Sequence, residues 1–520
     1  MSIKHKNELK EKTKEMIYHA FNGYMNYGFP SDELYPITCK GRDRDNENNY
    51  NFGVNDILGN FTLTLIDSLD TLAIIGDKKL FQKAVQNVID KVDFNKDNIV
   101  NLFEVNIRIL GGLLSAHLFA INEQYGVKLD NYNNELLDLA YDLGKRLLPA
   151  FEKSKTQIPY TRVNLKKGVI SIFASTSSCA ADAGTFILEF GTLSRLTGDS
   201  RFEEYARDAL FKMWDEKSSL NLLGTAINSL TSRWSNRISG IGASSDSVYE
   251  YMLKGYILFG DPDYLEMFND SYNAIKKYIK HKYGLYFNVY MDNGHYHSTN
   301  MDGLTAFFPG LQVLMGDLDN AIHLHQIFTE LWRKYHAIPE VYDFHEKNII
   351  ADYYLLRPEF IESNYMLYQS TKDPYYLDIG EMVLYDIERL CRTECGYAQL
   401  SPLTSYEKEN RMESFFISET LKYLYLLFDE NNKINTDFSN SVFTTEGHYL
   451  NLPDSLYHKK FYENSSELNG NVPTNLKCPK KSYNIENPLL SVEEKLKIFS
   501  LVNTEIPEDD KILFEYICLK

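Results

Sequence analysis

The stretch LLRPEFIES, at positions 355–363, combines the residue types that acid–base chemistry requires. Pro358 suits the first position of a helix, where its missing N–H costs nothing. Glu359 and Glu362 then fall in the first turn at an i, i+3 spacing, so both carboxylates share one face. Arg357 stands just before them and would help to keep them ionised. The stretch therefore predicts a helix that begins with a pair of functional carboxylates.

Three more predicted helices begin with acidic residues. The segment NLFEVNIR places Glu104 and Arg108 at i, i+4, and SSDSVYEY places Asp246 near a helix start. In NRMESFF, Asn410 and Glu413 have the spacing of a capping box. Alternate helices of a hairpin array run parallel, so we expect these starts to meet at one end of the molecule.

Acidic residues in a first helical turn are usually explained by the helix macrodipole, which they stabilise. The Glu104–Arg108 pair alone would be an ordinary i, i+4 ion pair. Several carboxylates that converge among Phe, Leu and Ile residues, however, repel one another and lose solvation. Such a cluster is costly unless a cation or a reaction requires it. Sugar hydrolysis with an acid, a base and a divalent cation would use this arrangement.

One local pattern recurs along the chain and indicates how the helices are arranged. An apolar helix end is usually followed by Gly and then Asp, which is typical of a tight helix–helix turn. The aspartates are Asp77, Asp199, Asp261, Asp317 and Asp373, at intervals of 122, 62, 56 and 56 residues. The segment KLDNYNNELLDLA, at 128–140, sits where a degenerate copy would divide the first interval. A period near 60 residues suggests an array of helical hairpins.

Hydrophobic periodicity predicts fourteen helical segments, or seven pairs, over about 430 residues. Their ranges are 6–27, 59–75, 78–93, 104–123, 132–149, 180–197, 200–216, 244–259, 261–281, 302–316, 317–336, 357–371, 374–391 and 410–428. An open solenoid and a closed α/α barrel both fit this pattern. Two of the segments, 104–123 and 411–428, are apolar nearly all round, as inner helices of a closed barrel would be.

The remaining segments have a different texture. Residues 165–178 and 282–300 are interpreted as irregular or strand-like insertions. Residues 451–520 are rich in Asn, Pro, Ser and Lys, which predicts a loop-rich tail packed on a domain of residues 1–450. A short helix is expected near 491–501 within that tail.

The composition limits the function classes. The 520 residues are 44% hydrophobic, and 72 acidic against 54 basic residues give a net charge of −18. That balance argues against nucleic acid as a partner and is compatible with a neutral sugar.

No apolar run reaches the roughly 20 residues that span a bilayer. The N-terminus lacks the apolar core of a secretory signal, so a cytosolic protein is expected unless the chain lacks its leader. Six widely spread cysteines permit disulfides without requiring them.

Longer segments of the chain together resemble one known family. Glycoside hydrolase family 47, the class I α-1,2-mannosidases, has similar motifs in the same order, represented here by YPITCKGRDR, LTLIDSLDTLAIIGD, FEVNIRILGGLLSAH, LEFGTLSRLTGD, FFPGLQVLMGD, LLRPEFIES, RMESFFISETLKYLYLLF and FTTEGH. The likeness runs from about residue 14 to 450. PITCKGR and CGYAQL are most similar to the branch of ER degradation-enhancing α-mannosidase-like proteins. The resemblance implies an all-α fold, an (α/α)7 barrel with small irregular or β insertions, which agrees with the fourteen predicted helices.

The resemblance also implies an activity. This family removes terminal α-1,2-linked mannose from high-mannose N-glycans with inversion, and uses a calcium ion (Ca²⁺) at the base of the barrel. Matched motif by motif, Glu104 corresponds to the general acid, Asp246 to a carboxylate that works with it, and Glu359 to the general base. Thr445 corresponds to the calcium ligand and Glu446 to the acid beside it. The side chains expected to line the sugar pocket are Arg108, Glu189, Arg357, Glu362 and Glu413.

A disulfide is implied in the same way. The first and last hairpins of a closed barrel are neighbours, and the degradation branch pairs cysteines in the motifs that hold Cys39 and Cys395 here. Cys391 is a competing partner without a motif match. Such a bond needs an oxidising compartment.

The resemblance implies the ER lumen, glycans on misfolded glycoproteins as substrates, and a partner of the protein disulfide isomerase type. Gly303 and Ala306 stand where the processing mannosidases carry His and Cys, so that group's own disulfide is not expected.

Two functions from different classes therefore stay open. One is a mannosidase that trims glycans on misfolded glycoproteins for ER-associated degradation. The other is a non-hydrolysing mannose lectin or adaptor on the same scaffold. A lectin has little reason to keep both an acid and a base, which favours the enzyme. A helical scaffold with ordinary capping acids would not explain so many ordered motifs.

Overall fold

The computed structural model describes residues 1–170, 176–437, 440–457 and 490–504. In this part of the chain, fourteen helices form seven consecutive pairs. They are α1 (3–28), α2 (63–74), α3 (Lys78–Lys91), α4 (Leu102–Ile121), α5 (Glu135–Leu147), α6 (180–197), α7 (Arg201–Asp215), α8 (Asp246–Phe259), α9 (262–279), α10 (Gly303–Met315), α11 (Leu318–Tyr335), α12 (Glu359–Thr371), α13 (Tyr375–Cys391) and α14 (416–428). Each predicted segment therefore corresponds to a helix.

The even-numbered helices form a closed inner ring, with the odd-numbered helices packed outside it. Each inner helix contacts the next one in the series, and α14 contacts both α2 and α1. A disulfide between Cys39 and Cys395 joins the loop after α1 to the loop after α13, with 5.7 Å between the two Cα atoms. The open-solenoid alternative is therefore wrong, and the predicted (α/α)7 barrel is confirmed.

The recurring Gly-Asp pattern does terminate and restart helices. Gly76 has a φ of +77°, the left-handed conformation that glycine adopts without a Cβ penalty. The Asp77 side chain then accepts the backbone N–H of Leu80 at 3.0 Å and caps α3. The same carboxylate accepts the Tyr18 hydroxyl of α1 at 2.9 Å. The turn residue therefore also ties neighbouring hairpins together.

The inner helix α4 illustrates how apolar the ring is. By length and composition it is the one helix in the described residues that could cross a membrane, and 89% of its most apolar window is buried inside the barrel. Burial on all sides is expected of a helix without a polar face. We therefore identify α4 as a core helix.

Short antiparallel strand pairs lie in the loops that lead into the inner helices, and one further pair, β15–β16, follows α14. The strands are β1 (Glu33–Tyr35), β2 (Lys40–Arg42), β3 (Ile99–Asn101), β4 (Arg162–Asn164), β5 (Ser177–Cys179), β6 (Ala226–Asn228), β7 (Trp234–Asn236), β8 (Ile238–Ser239), β9 (Val289–Tyr290), β10 (Asn300–Asp302), β11 (Val341–Asp343), β12 (Asn348–Ala351), β13 (Gln399–Leu400), β14 (Lys408–Glu409), β15 (Val442–Phe443) and β16 (Tyr449–Leu450). They pair as β1-β2, β3-β4, β5-β6-β7, β8-β9, β10-β11-β12, β13-β14 and β15-β16. Strands β3, β5 and β10 end immediately before α4, α6 and α10, so they fix where those helices start.

The β15–β16 hairpin is buried within the barrel, where its strands contact the inner helices α4 and α8. Its turn is closed by a hydrogen bond from the Thr444 backbone N–H to the His448 carbonyl oxygen, at 2.9 Å. The turn therefore carries Thr445 and Glu446 into the centre of the ring.

The last barrel helix begins later than the sequence predicts. The predicted helix 410–428 begins only at residue 416, and Asn410 does not cap it. The Asn410 side chain instead accepts the N–H of Ile37 at 2.8 Å and so binds the turn between β1 and β2.

In the tail, α15 (Val492–Val502) confirms the short helix and packs against α11. Residues 458–489 and 505–520 lie outside the described part, so the domain boundary near 450 stays a prediction.

Candidate active site

A cavity of about 390 Å³ lies inside the ring, at the end where the inner helices begin. Its wall combines apolar side chains, including Phe103, Phe307 and Phe415, with an unusual density of charge. The charged and hydroxyl-bearing side chains that line it include Glu104, Arg108, Asp182, Asp246, Glu250, Arg357, Glu359, Glu362, Arg411, Glu413, Glu419, Thr445 and Glu446. Every side chain assigned to the site from the sequence is among them except Glu189.

The first turn of α12 presents Glu359 and Glu362 to the cavity, as their spacing predicts. Arg357 donates from Nε to Glu340 at 2.7 Å, and its Nη1 lies 3.7 Å from Glu359 Oε1. Burial raises the pKa of Glu359 to about 7, although the Arg357 charge opposes the rise. Burial likewise raises the pKa of Glu362 to about 8. Glu359 Oε2 is buried without a hydrogen-bond partner among the described residues.

Glu104 lies across the ring at the start of α4. Arg108 donates from Nε to Glu104 Oε2 at 2.8 Å and from Nη1 to Glu446 Oε1 at 2.5 Å. The segment Val105–Leu110 is a wider π-helical turn, a local irregularity that is frequent at functional sites. Arg108 therefore connects a rim carboxylate to the turn at the base of the cavity.

Asp246 begins α8, and Glu250 follows one turn deeper on the same face. Burial raises the pKa of Asp246 to about 8. Glu250 Oε2 accepts the Thr445 hydroxyl at 2.9 Å, and its Oε1 accepts Lys254 Nζ at 2.5 Å. Glu250 was not identified from the sequence, but the D-x-x-x-E spacing in DSVYE could have indicated it, because i and i+4 share a helix face.

Glu413 and Glu419 approach the cavity from α14 and the segment before it. Glu413 precedes the helix, forms an ion pair with Arg411, and has its Oε2 buried without a hydrogen-bond partner in the described chain. Burial and the nearby charge of Glu446 raise the pKa of Glu419 well above its ordinary range. Sequence reasoning missed Glu419, because Phe416–Thr420 is a π-helical turn and six residues from Glu413 fit no regular helix face.

Glu189 does not line the cavity, so its predicted place in the pocket wall is corrected. It is fully buried in α6, where Oε2 accepts Asn106 Nδ2 at 3.0 Å and Oε1 accepts the Tyr251 hydroxyl at 2.5 Å. The same hydroxyl lies 3.4 Å from the Thr445 backbone N–H, which donates to it. A buried carboxylate needs such partners, and here they hold Glu189 behind the wall.

The donor set at the base of the cavity fits a hydrated calcium ion better than a carboxylate cage. No group of three or more His, Cys, Asp or Glu side chains in the described ranges is arranged to ligate a metal directly. The Thr445 hydroxyl and carbonyl are hard oxygen donors, and Glu250, Glu362, Glu419 and Glu446 line the same cavity. Calcium prefers oxygen ligands and accepts water among them. Thr445 with ordered waters therefore fits the ion.

Comparison with known sequences agrees with this picture. A sequence model of the glycosyl hydrolase family 47 matches residues 16–452. ER degradation-enhancing alpha-mannosidase-like protein 1 of Schizosaccharomyces pombe is 47% identical over 442 residues, which cover 85% of this chain and 56% of the relative. The human ER degradation-enhancing alpha-mannosidase-like protein 3 is 44% identical over 461 residues, which cover 87% and 49%. This chain therefore spans about half the length of these two relatives.

Two further proteins match over most of their own length. An α-mannosidase I of Arabidopsis thaliana is 42% identical over 476 residues, covering 90% of this chain and 73% of the relative. The solved α-1,2-mannosidase from Trichoderma reesei has a TM-score of 0.75 and 25% identity, and the match covers 85% of this chain and 98% of that one. The extent of these matches and the shared barrel show that this chain belongs to glycosyl hydrolase family 47.

Proposed function

We propose that this protein is a calcium-dependent, inverting α-1,2-mannosidase that trims high-mannose N-glycans. The observation that carries the proposal is the arrangement of Glu104, Asp246 and Glu359 around one cavity. They belong to α4, α8 and α12: one inner helix separates α4 from α8 and α8 from α12, and two lie between α12 and α4. Carboxylates held apart in this way suit an inverting hydrolase, which needs roughly 6.5–9.5 Å between acid and base to admit a water.

The electrostatics support a division of roles. Glu359 is the proposed base: Arg357 favours its ionised form, and a pKa near 7 lets it take a proton from water at neutral pH. Glu104 is the proposed acid, held by Arg108 on the opposite side. Asp246, with a pKa of about 8, stays largely protonated at neutral pH and can supply a proton on the acid side.

Thr445 is the proposed ligand of the calcium ion, through its hydroxyl and carbonyl oxygens, and Glu446 is proposed to hold waters around that ion. When bound, calcium supplies positive charge that offsets the crowded carboxylates and a hard centre for two sugar hydroxyls. Arg108 and Lys254 are the cations already paired with these carboxylates, through Glu446 and Glu250.

The biological setting is proposed from the relatives' names, which place them in degradation from the endoplasmic reticulum. Substrates would be high-mannose glycans on misfolded glycoproteins in the ER lumen. The Cys39–Cys395 bond fits that oxidising compartment. A partner of the protein disulfide isomerase type is proposed for the same reason, since the bond must be formed between distant parts of the chain.

A direct assay tests the proposal. The purified chain is incubated with a high-mannose glycan, and free mannose is measured with calcium and with a chelator. Release that requires calcium supports the enzyme. Tight glycan binding without any release would instead favour the lectin alternative, and release of equal rate after thorough chelation would remove the metal from the mechanism.

A further inference from the structure

Four buried charged side chains that the proposed mechanism does not use meet beneath the cavity. The segment LTLIDSLDTLAIIGD contributes Asp67 and Asp70 from α2, ISETLKYLYLLF contributes Lys422 from α14, and TTEGH contributes His448. All four side chains are fully shielded from solvent. Buried charges are costly unless they are closely paired. The network therefore needs a structural or functional explanation.

Lys422 and Asp70 form an ion pair, and both also make hydrogen bonds to the backbone of the β15–β16 turn. Lys422 Nζ donates to the two carboxylate oxygens of Asp70, at 2.9 Å each, and to the carbonyl oxygen of Gly447 at 2.5 Å. Asp70 Oδ2 in turn accepts the backbone N–H of Tyr449 at 3.2 Å. One ion pair therefore fixes the backbone on either side of His448, directly after the residues proposed to hold calcium.

The His448 imidazole packs between α2 and α4. Its Nε2 lies 3.1 Å from Asp67 Oδ1, and its Nδ1 lies 3.3 Å from Asp70 Oδ2. The ring rests against two glycines of α4: a Cβ on Gly111 would lie 2.8 Å from the imidazole Cδ2, and one on Gly112 would lie 3.3 Å from Cε1. A Cβ at either helix position would displace the imidazole, so the absence of side chains at the two glycines lets the ring pack against α4.

We propose that Asp70, Lys422 and His448 are positioning residues that aim Thr445 and Glu446 into the cavity. This inference rests on the proposed calcium role of those two residues. None of the three is among the described side chains that line the cavity, so they act through the turn and not on the substrate. Loss of the network should therefore weaken calcium binding beyond any general loss of stability.

Two variants perturb the network differently. Gly111→Ala crowds the His448 ring while keeping a residue suited to the helical backbone at that position, where φ is −57° and ψ is −48°. Lys422→Met removes the donor to the turn while keeping most of the side-chain volume. Gly144→Ala is the matched control, because its Cβ would lie 2.6 Å from a leucine methyl in the barrel wall, away from the cavity.

The test is calorimetric titration of the full chain with calcium, together with the rate of mannose release and the melting temperature. Both network variants should raise the calcium Kd at least about tenfold and lower kcat/KM, whereas Gly144→Ala should change only the melting temperature. If Lys422→Met does not fold, Gly111→Ala decides alone. Wild-type calcium binding with a variant Kd within about twofold would overturn this inference and leave the proposed function intact. A wild-type chain that binds no calcium and remains active in chelator would overturn both the metal role and the inference.

Discussion

The substitution Glu359→Gln tests two things separately: whether Glu359 acts as a general base, and whether its buried charge destabilises the folded protein. Glutamine keeps the shape of the side chain but cannot accept a proton from water. Loss of a general base typically reduces turnover about 10²–10⁴-fold. We therefore expect kcat to fall by at least about 100-fold, with sugar affinity largely retained because the cavity wall is unchanged.

The same change should stabilise the calcium-free protein. The Glu359 side chain is 14% exposed, and burial raises its pKa from 4.5 to about 7. Between these two values the folded state binds more protons than the unfolded state, so the free energy of unfolding falls as pH rises through that window. A shift of about 2.5 units corresponds to about 3 kcal/mol once the pH is above 7. Glu359→Gln removes this penalty, so it should raise the free energy of unfolding by about 3 kcal/mol at pH 8 and by less than about 1 kcal/mol at pH 5.

The assay combines urea unfolding at both pH values with measurements of mannose release and glycan binding. Glu203→Gln is a control for turnover only: burial raises the pKa of Glu203 also to about 7 and its side chain lies outside the cavity wall, but it forms a close buried ion pair with Arg195. The control should retain normal turnover. Near-normal turnover in Glu359→Gln would refute its role as base, and an unchanged or lower stability at pH 8 would refute the electrostatic reasoning.

Three further predictions concern the pH profile, the metal and the disulfide. With calcium present, kcat/KM should fall on the acid side as Glu359 becomes protonated and on the alkaline side as Asp246 loses its proton, and a profile without either fall would contradict both roles. Thr445→Ala should raise the Kd for calcium and for the glycan together, as titration calorimetry can show, and loss of neither would exclude Thr445 as a ligand. Peptide mapping of the non-reduced protein should find Cys39 joined to Cys395, and a different partner for Cys39 would contradict the barrel closure. Reducing that bond should lower the free energy of unfolding by about 2–4 kcal/mol, the usual range for a native disulfide.

The barrel was predictable because its signals are local and repeated. The Gly-Asp turns, such as the one at Gly76 and Asp77, set the hairpin period, and the apolar character of 104–123 indicated an inner helix. The acid-bearing helix starts then had to share one end, because alternate helices run parallel. Closure of the ring, however, depends on contacts between α14 and α1 that local periodicity does not encode.

Errors arose where distant partners outweigh local patterns. Asn410 has the spacing of a capping box, but its side chain is engaged by the backbone of Ile37 far away in sequence. Glu189 lies on an inner helix like the cavity residues, but its carboxylate accepts a hydrogen bond from the Tyr251 hydroxyl behind the cavity wall. Glu419 escaped detection because a π-helical turn changes which face it presents, and sequence periodicity assumes a regular helix.

The most direct test of the central claim is the anomeric form of the first mannose released. Proton NMR can follow a high-mannose glycan from the moment the protein and calcium are added, before the free sugar equilibrates. An acid and a base on opposite sides of the cavity, with water between them, predict that β-mannose appears first. First appearance of α-mannose would contradict that arrangement, and the absence of any released mannose would contradict hydrolysis itself.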